Sequence, residues 1–250
     1  MSDFTVYPAI DVRDGRVVRL RQGDYAQETR YADDPIVVAQ RYATAGAAWL
    51  HLVDLDAARD GGYSIRDLLG RIKRDTSLRV QTGGGVRSED DLLRLFDAGA
   101  DRVVVGSLAV REPSTVASWI ERHGSDRITV ALDTREVEGE WRLPTAGWTH
   151  NDGTSLPFLL SLYLGTGLRH LLCTDIGRDG MLAGPNIALY GEILTHAPRV
   201  ALQASGGIRD VADIRAARAA GCAGAVLGKA LLDGRFELAD ALGPVEADAC

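Results

Sequence analysis

The chain repeats itself at half its length, and that repeat limits its fold more than any other feature. Asp11 in PAIDV matches Asp133 in VALDT, Arg87 closing GGGVR matches Arg209 closing SGGIR, and Gly106 in VVVGS matches Gly228 in AVLGK, each pair 122 residues apart. Asp54 in LVD and Asp175 in CTD are 121 apart. Chance similarity rarely falls into one spacing, so two halves, about 1–122 and 123–250, are expected to share a fold.

Short runs rich in Val, Ile and Leu alternate with longer amphipathic segments. Strands are expected at Thr5–Ile10, Trp49–Asp54, Arg79–Thr82, Arg102–Val105, Ile128–Leu132, His170–Thr174, Val200–Ala204 and Gly224–Leu227. Helical periodicity marks Ser64–Lys73, Ser88–Ala98, Pro113–His123, Asn186–Ala197 and Val211–Ala219. Strand runs without polar alternation fit a parallel sheet buried on both faces, and strands alternating with helices read as βα units. Two (βα)4 halves facing each other close into an α/β (β/α)8 barrel of the TIM type, with approximate twofold symmetry. An open doubly wound sheet would leave two equivalent sets of four strands unexplained. At 250 residues a barrel of this kind is ordinarily one domain.

Composition excludes several classes. A net charge of −7 with no basic run argues against a nucleic-acid or anionic-membrane surface. No apolar run approaches the roughly 18 residues of a membrane helix, and Met1–Tyr7 reads as polar sequence leading into a strand, not as a leader. Cys173, Cys222 and Cys250 are few, odd in number and far apart, which fits neither a disulfide framework nor a zinc site and suggests a reducing cytoplasm. We expect a monomer.

Every repeated motif ends a strand and enters a loop. Strand C-termini form the active face of such barrels, so these residues should meet at one mouth. Gly83-Gly84-Gly85 precedes Ser88, an expected N-cap with Asp91 three residues on; Ser205-Gly206-Gly207 precedes Asp210, with Asp213 following. Glycines allow close backbone approach and positive φ, and exposed N–H groups at such turns can hold a phosphate. Gly106-Ser107 and Gly228-Lys229 can complete each cup. Two cups imply a small-molecule ligand with a phosphate at each end. Asp11 and Asp133 each end an apolar strand and should face each other across the barrel axis, as suits a general acid and a general base. Pairing with Arg13 or Arg135 is the structural alternative. No histidine cluster suggests a metal. Thr174 is placed at the mouth after the sixth strand, and Asp179-Gly180 reads as a turn in its loop. His51, His123, His150, His170 and His196 have no partner spacing and read as structural or surface residues. The stretch Thr134–Gly153 reads as a long loop, carrying Trp148 where it could cover a ligand.

Taken in order, PAIDVRDGRVVRLRQGDY, HLVDLDAA, GGGVR, VVVGS, ALDTR, AGW, LCTDIGRDG, SGGIR and GKALL resemble the phosphoribosylformimino-aminoimidazole-carboxamide ribotide isomerases of histidine biosynthesis. The resemblance runs from about Tyr7 to Gly234. It implies a (β/α)8 barrel without cofactor or metal that performs an Amadori rearrangement of an N-substituted aminoaldose to an aminoketose. It places catalytic roles on Asp11, Asp133, Thr174 and Asp179. Binding roles fall on Arg19, Gly84, Gly85, Arg87, Gly106, Ser107, Trp148, Gly206, Gly207, Gly228 and Lys229. Asp11 is expected to be the base at C2 and Asp133 the acid, with Asp179 the alternative acid. Met181 stands where many relatives have Thr, which puts the hydrogen bonding of that loop in question. Competing expectations are the cyclase barrel of the same pathway, a dual-substrate isomerase that also takes phosphoribosylanthranilate, and a barrel that binds a phosphorylated metabolite without turnover. The cyclase usually has Cys where this chain has Ala9.

Overall fold

The computed structural model describes residues 4–145 and 150–243, with side chains for all of these but 145 and 150–153. Twelve strands are present among them: β1 (Thr5–Arg13), β2 (Arg16–Arg21), β3 (Asp24–Ala32), β4 (Trp49–Asp54), β5 (Arg79–Gly83), β6 (Arg102–Val105), β7 (Ile128–Val137), β8 (Glu140–Thr145), β9 (His150–Ser155), β10 (His170–Asp175), β11 (Ala201–Ser205) and β12 (Gly224–Leu227). Eight of them are parallel and run in the ring β1-β4-β5-β6-β7-β10-β11-β12. The ring closes where β12 pairs with β1, and β7 joins β10 with Thr174 opposite Asp133. Helices between the strands make this a (β/α)8 barrel.

The eight barrel strands fall where the apolar runs place them. The four further strands form two antiparallel ribbons that the sequence reading missed. β2–β3 folds back from the end of β1, and β8–β9 from the end of β7. Each begins with a two-residue turn, Asp14-Gly15 and Glu138-Gly139, in which both residues have positive φ. That geometry matches the twist of a hairpin. The expected long loop at Thr134–Gly153 is therefore replaced, in its described part, by an extended β7 and two ribbon strands. Ribbon strand β3 is mostly exposed and polar, so hydrophobic periodicity gave no sign of it.

Helix starts follow local chemistry. Ser88 and Asp91 form a reciprocal capping box before Glu89–Asp97, and Asp210 accepts from the Asp213 N–H before Val211–Ala219. The main core lies between strands and helices and includes Ile10, Leu50, Val80, Leu132 and Leu202. A smaller cluster fills the barrel itself: Tyr7, Ala9, Trp49, Ala131, Leu172 and Val226. Near it, Gln81 and Gln203, 122 residues apart, exchange hydrogen bonds of 2.8 and 3.1 Å. Arg79 and Arg102 both stack on Trp49, at 4.2 and 4.5 Å from the ring centre.

Two buried carboxylates fix the loops that leave β4 and β10. Asp54, fully buried, accepts from Ala57 N, Ser64 N, Ser64 Oγ and Ile65 N at 2.7–3.3 Å. Asp175 accepts from Gly177 N at 2.9 Å and Asn186 Nδ2 at 2.7 Å. Removing Asp54 would strand three backbone donors, two of them on the buried residues Ala57 and Ile65. Asp54→Ala is expected to cost about 3 kcal/mol and to lower Tm by roughly 6–12 °C for a chain of this size. A thermal melt showing a change under 2 °C, roughly that of a surface substitution, would mean that water replaces the carboxylate.

Candidate active site

A cavity of about 1070 Å³ opens at the C-terminal ends of the barrel strands. Alternate residues of each strand point inward. Asp11, Gly83, Gly106, Asp133, Thr174, Ser205 and Gly228 stand at the rim, with His51, Val104, Ala131, Leu172 and Val226 beneath them. Of the expected site residues, Asp11, Arg19, Gly84, Gly85, Arg87, Gly106, Ser107, Asp133, Thr174, Asp179, Gly206, Gly207, Gly228 and Lys229 all line this cavity. Trp148 lies outside the described residues.

The glycine loops are shaped by their neighbours. Gly84 has φ +112°, and a Cβ there would come 2.2 Å from the Asp54 carbonyl oxygen. Gly207 has φ +82°, and its Cβ would come 2.3 Å from the Gly184 carbonyl oxygen. Each loop presses against the segment following the preceding strand, so no side chain fits. This close packing fixes the backbone facing the cavity.

The carboxylates are organised by Arg19, brought in by β2. Arg19 Nη1 donates to Asp11 Oδ2 at 2.7 Å, and Nη2 lies 3.6 Å from Asp179 Oδ1. Its Nε is buried without a hydrogen-bond partner among the described residues. The guanidinium lies over Gly228, where a Cβ would be 2.7 Å from Cζ. Arg19 thus touches a carboxylate of β1, the loop after β10 and a glycine of the second cup. Arg13 pairs instead with Glu28 at 2.7 Å, so the alternative of an Asp11–Arg13 pair does not form. Burial pushes the Asp11 carboxyl above its ordinary pKa; Arg19 pulls it back and Asp179 adds to the rise. Thr174 sits beside Asp133 on the neighbouring strand, and its carbonyl accepts from Thr134 Oγ1 at 3.0 Å. Lys229 Nζ is held by Asp233 at 2.7 Å, and Arg87 donates to the Arg59 carbonyl at 3.0 Å. Met181 is exposed. The Asp179-Gly180 turn expected from sequence is present, with Gly180 at φ +71°.

His51, read from sequence as a structural or surface residue, is buried. It lies in the cavity, and its Nδ1 is 2.9 Å from Gln81 Nε2. Burial and Arg19 bring its pKa down to about 4, so it is neutral near pH 7. Arg102, a donor only, faces Gln81 Oε1 at 3.4 Å, which leaves Gln81 Nε2 to donate to His51. The available signal was period two: Trp49, His51 and Val53 share the inward face of β4. His170 is likewise buried, with Nε2 3.4 Å from Asp126 Oδ1, which agrees with a structural histidine.

The raised Asp11 pKa has a consequence for stability. The folded carboxyl binds its proton more readily than the unfolded one, so stability falls as pH rises through the interval between the two values. At neutral pH the penalty is present in full. Asp11→Asn is therefore expected to raise Tm at pH 7, with the gain shrinking as pH drops below the ordinary carboxylate range. A clear loss of Tm at pH 7 would show that the Arg19 attraction outweighs burial.

The chain's similarity to known proteins agrees with this geometry. The profile of the family described as "Histidine biosynthesis protein" matches residues 5–237. A protein of Stenotrophomonas maltophilia is 63% identical over 240 residues, covering 96% of this chain and 98% of its own. One of Xanthomonas campestris pv. campestris is 61% identical over the same coverage, and one of Xanthomonas euvesicatoria pv. vesicatoria 59%. All three bear the name 1-(5-phosphoribosyl)-5-((5-phosphoribosylamino)methylideneamino) imidazole-4-carboxamide isomerase. With its barrel, its paired glycine loops and this extent of identity, the chain belongs to the histidine biosynthesis protein family.

Proposed function

We propose that this chain opens the ribosyl ring of an N-substituted aminoaldose carrying two phosphates and rearranges it to the aminoketose, as a step of histidine biosynthesis. It is an aldose–ketose isomerase. The observation that carries the mechanism is Asp11: a buried carboxylate of raised pKa at the rim of a cavity flanked by two glycine cups. A base with a raised pKa accepts a proton more readily at neutral pH.

An acid gives a proton to the ring oxygen as the C1–O bond breaks, and the nitrogen lone pair forms a C1=N iminium. Asp11 takes the proton from C2, whose electron pair neutralises the iminium and leaves an enolamine. Protonation at C1 and loss of the C2 hydroxyl proton give the ketone. For the acid we assign Asp179 over Asp133, because Arg19 spans Asp11 and Asp179 and draws both to one side of the mouth. Asp133 and Thr174, neighbours across β7–β10, hold the sugar hydroxyls. The N–H groups near Gly84–Gly85 and Gly106–Ser107 take one phosphate, and those near Gly206–Gly207 and Gly228–Lys229 the other. Arg87 adds charge to the first. Trp148 stacks on the aminoimidazole ring. The chain works as one domain of two similar halves, as a monomer in the cytoplasm, with no metal, cofactor or nucleic acid.

Asp11→Asn and Asp179→Asn are each expected to lower kcat roughly 10²–10⁴-fold with far smaller changes in binding. Asp133→Asn should lose less than Asp179→Asn. The reverse order in steady-state assays would return the acid role to Asp133, and near wild-type kcat for Asp11→Asn would remove the base.

The two-cup reading is checked by crystals grown in sulfate. Two anions are expected at the mouth, one against each glycine loop. Anions at neither place would defeat it, and so would equal turnover of a substrate lacking one phosphate.

A further inference from the structure

Charge breaks the twofold symmetry of the two cups. The short helices Ser107–Arg111 and Lys229–Leu232 follow the equivalent glycines Gly106 and Gly228. At the spacing of 122 residues, Ser107 matches Lys229 and Arg111 matches Asp233. Residues one helical turn apart share a face, and side chains there lean toward the start of the helix. In the second half this produces a closed pair: Lys229 Nζ is 2.7 Å from Asp233 Oδ2, and Tyr31 Oη donates to Asp233 Oδ1 at 2.6 Å. In the first half Ser107 carries no charge. Arg111 lines the cavity and has no ion pair among the described residues.

The same inversion occurs one loop earlier. Arg209 is held by Asp213 through two hydrogen bonds of 2.9 and 2.8 Å. Its counterpart Arg87 lines the cavity and reaches a carbonyl instead. Asp91, which matches Asp213, directs Oδ2 to Arg87 N and to Ser88 N and Oγ. Arg19, against Gly228, is balanced by Asp11 and Asp179, as Arg59 on the first side is by Asp60. Among the described residues the first cup therefore has two cations outside any ion pair or hydrogen bond with a carboxylate, Arg87 acting on Asp60 only at longer range, while Lys229, Arg209 and Arg19 of the second are all ion-paired.

We propose that the cups are unequal: the first-half cup, through Arg111 and Arg87, is the anchor that captures a phosphate monoester before the second cup engages its own. Arg111 becomes a phosphate-binding residue. The second cup holds its phosphate mainly through backbone N–H groups, because its cations already have carboxylate partners. This rests on the two-phosphate reading above and adds an order to it. An unpaired guanidinium attracts a dianion over a longer range than a hydrogen-bond donor does, and that attraction is screened by salt.

Inorganic phosphate is the probe, titrated into the full chain at low ionic strength and followed by backbone amide NMR. Gly85 and Gly106 report the first cup; Gly207 and Gly228 report the second. The first pair is expected to reach half-saturation at roughly tenfold lower phosphate, with the gap closing as sodium chloride is added. Arg111→Gln and Arg87→Gln should each weaken the first cup several-fold without moving the second. Asp233→Asn, which frees Lys229, should tighten the second. Equal midpoints, earlier saturation of the second cup, or an Arg111→Gln variant identical to wild type would overturn the order while leaving two phosphate sites in place. No shift at either pair would overturn both.

Discussion

Parallel pairing of β7 with β10 and of β1 with β12 closes the sheet. Closure then dictates where chemistry can occur. All eight parallel strands end on one ring, so eight loops and eight terminal residues must share one mouth. Asp11 and Asp133, separated by 122 residues of chain, become residues of one cavity because each lies near the mouth end of the first strand of a half. The barrel interior supports the ring with side chains: a small apolar cluster around Trp49, and Gln81 bonded to its own counterpart Gln203. A slip of one residue in any strand would turn its rim residue out of the mouth.

On that ring Arg19 does for the carboxylates what Asp54 and Asp175 do for the loops. It is a buried charge with two carboxylates in reach, Asp11 and Asp179. Its position ties the β2–β3 ribbon to β1, to the loop after β10 and to Gly228. The ribbon is therefore part of the site. The β8–β9 ribbon occupies the equivalent place in the other half, and it brings Pro144 to the cavity wall, which Arg135 of the extended β7 also lines.

Much of this was legible in the sequence, for reasons that can be named. The strands show because both their faces are buried, and the half-barrels show because Asp11, Arg87 and Gly106 recur at one spacing. Ser88 and Asp210 announce their helices because caps are local chemistry. The ribbons stayed hidden because β3 is polar and exposed, although Asp14-Gly15 carried a hairpin signal. His51 was passed over because its role comes from Gln81 and Arg102 on other strands, not from spacing in its own segment. Arg19 was expected to bind substrate, but its grip on Asp11 and Asp179 exists only once β2 folds back on β1. The asymmetry between Arg111 and Asp233 was present in the repeat, yet it acquires meaning only when Arg111 and the Lys229 that Asp233 holds are both seen at the mouth.

In the proposed mechanism a carboxylate removes the C2 proton, and the hydrogen does not pass directly from C2 to C1. The fate of deuterium at ribosyl C2 tests it most directly. A proton held on a carboxyl group exchanges with water, so turnover of C2-deuterated substrate should release deuterium to the solvent, with solvent hydrogen found at C1 of the ketose. Complete retention of the deuterium, transferred to C1, would contradict proton removal by Asp11 and point to a direct hydrogen shift.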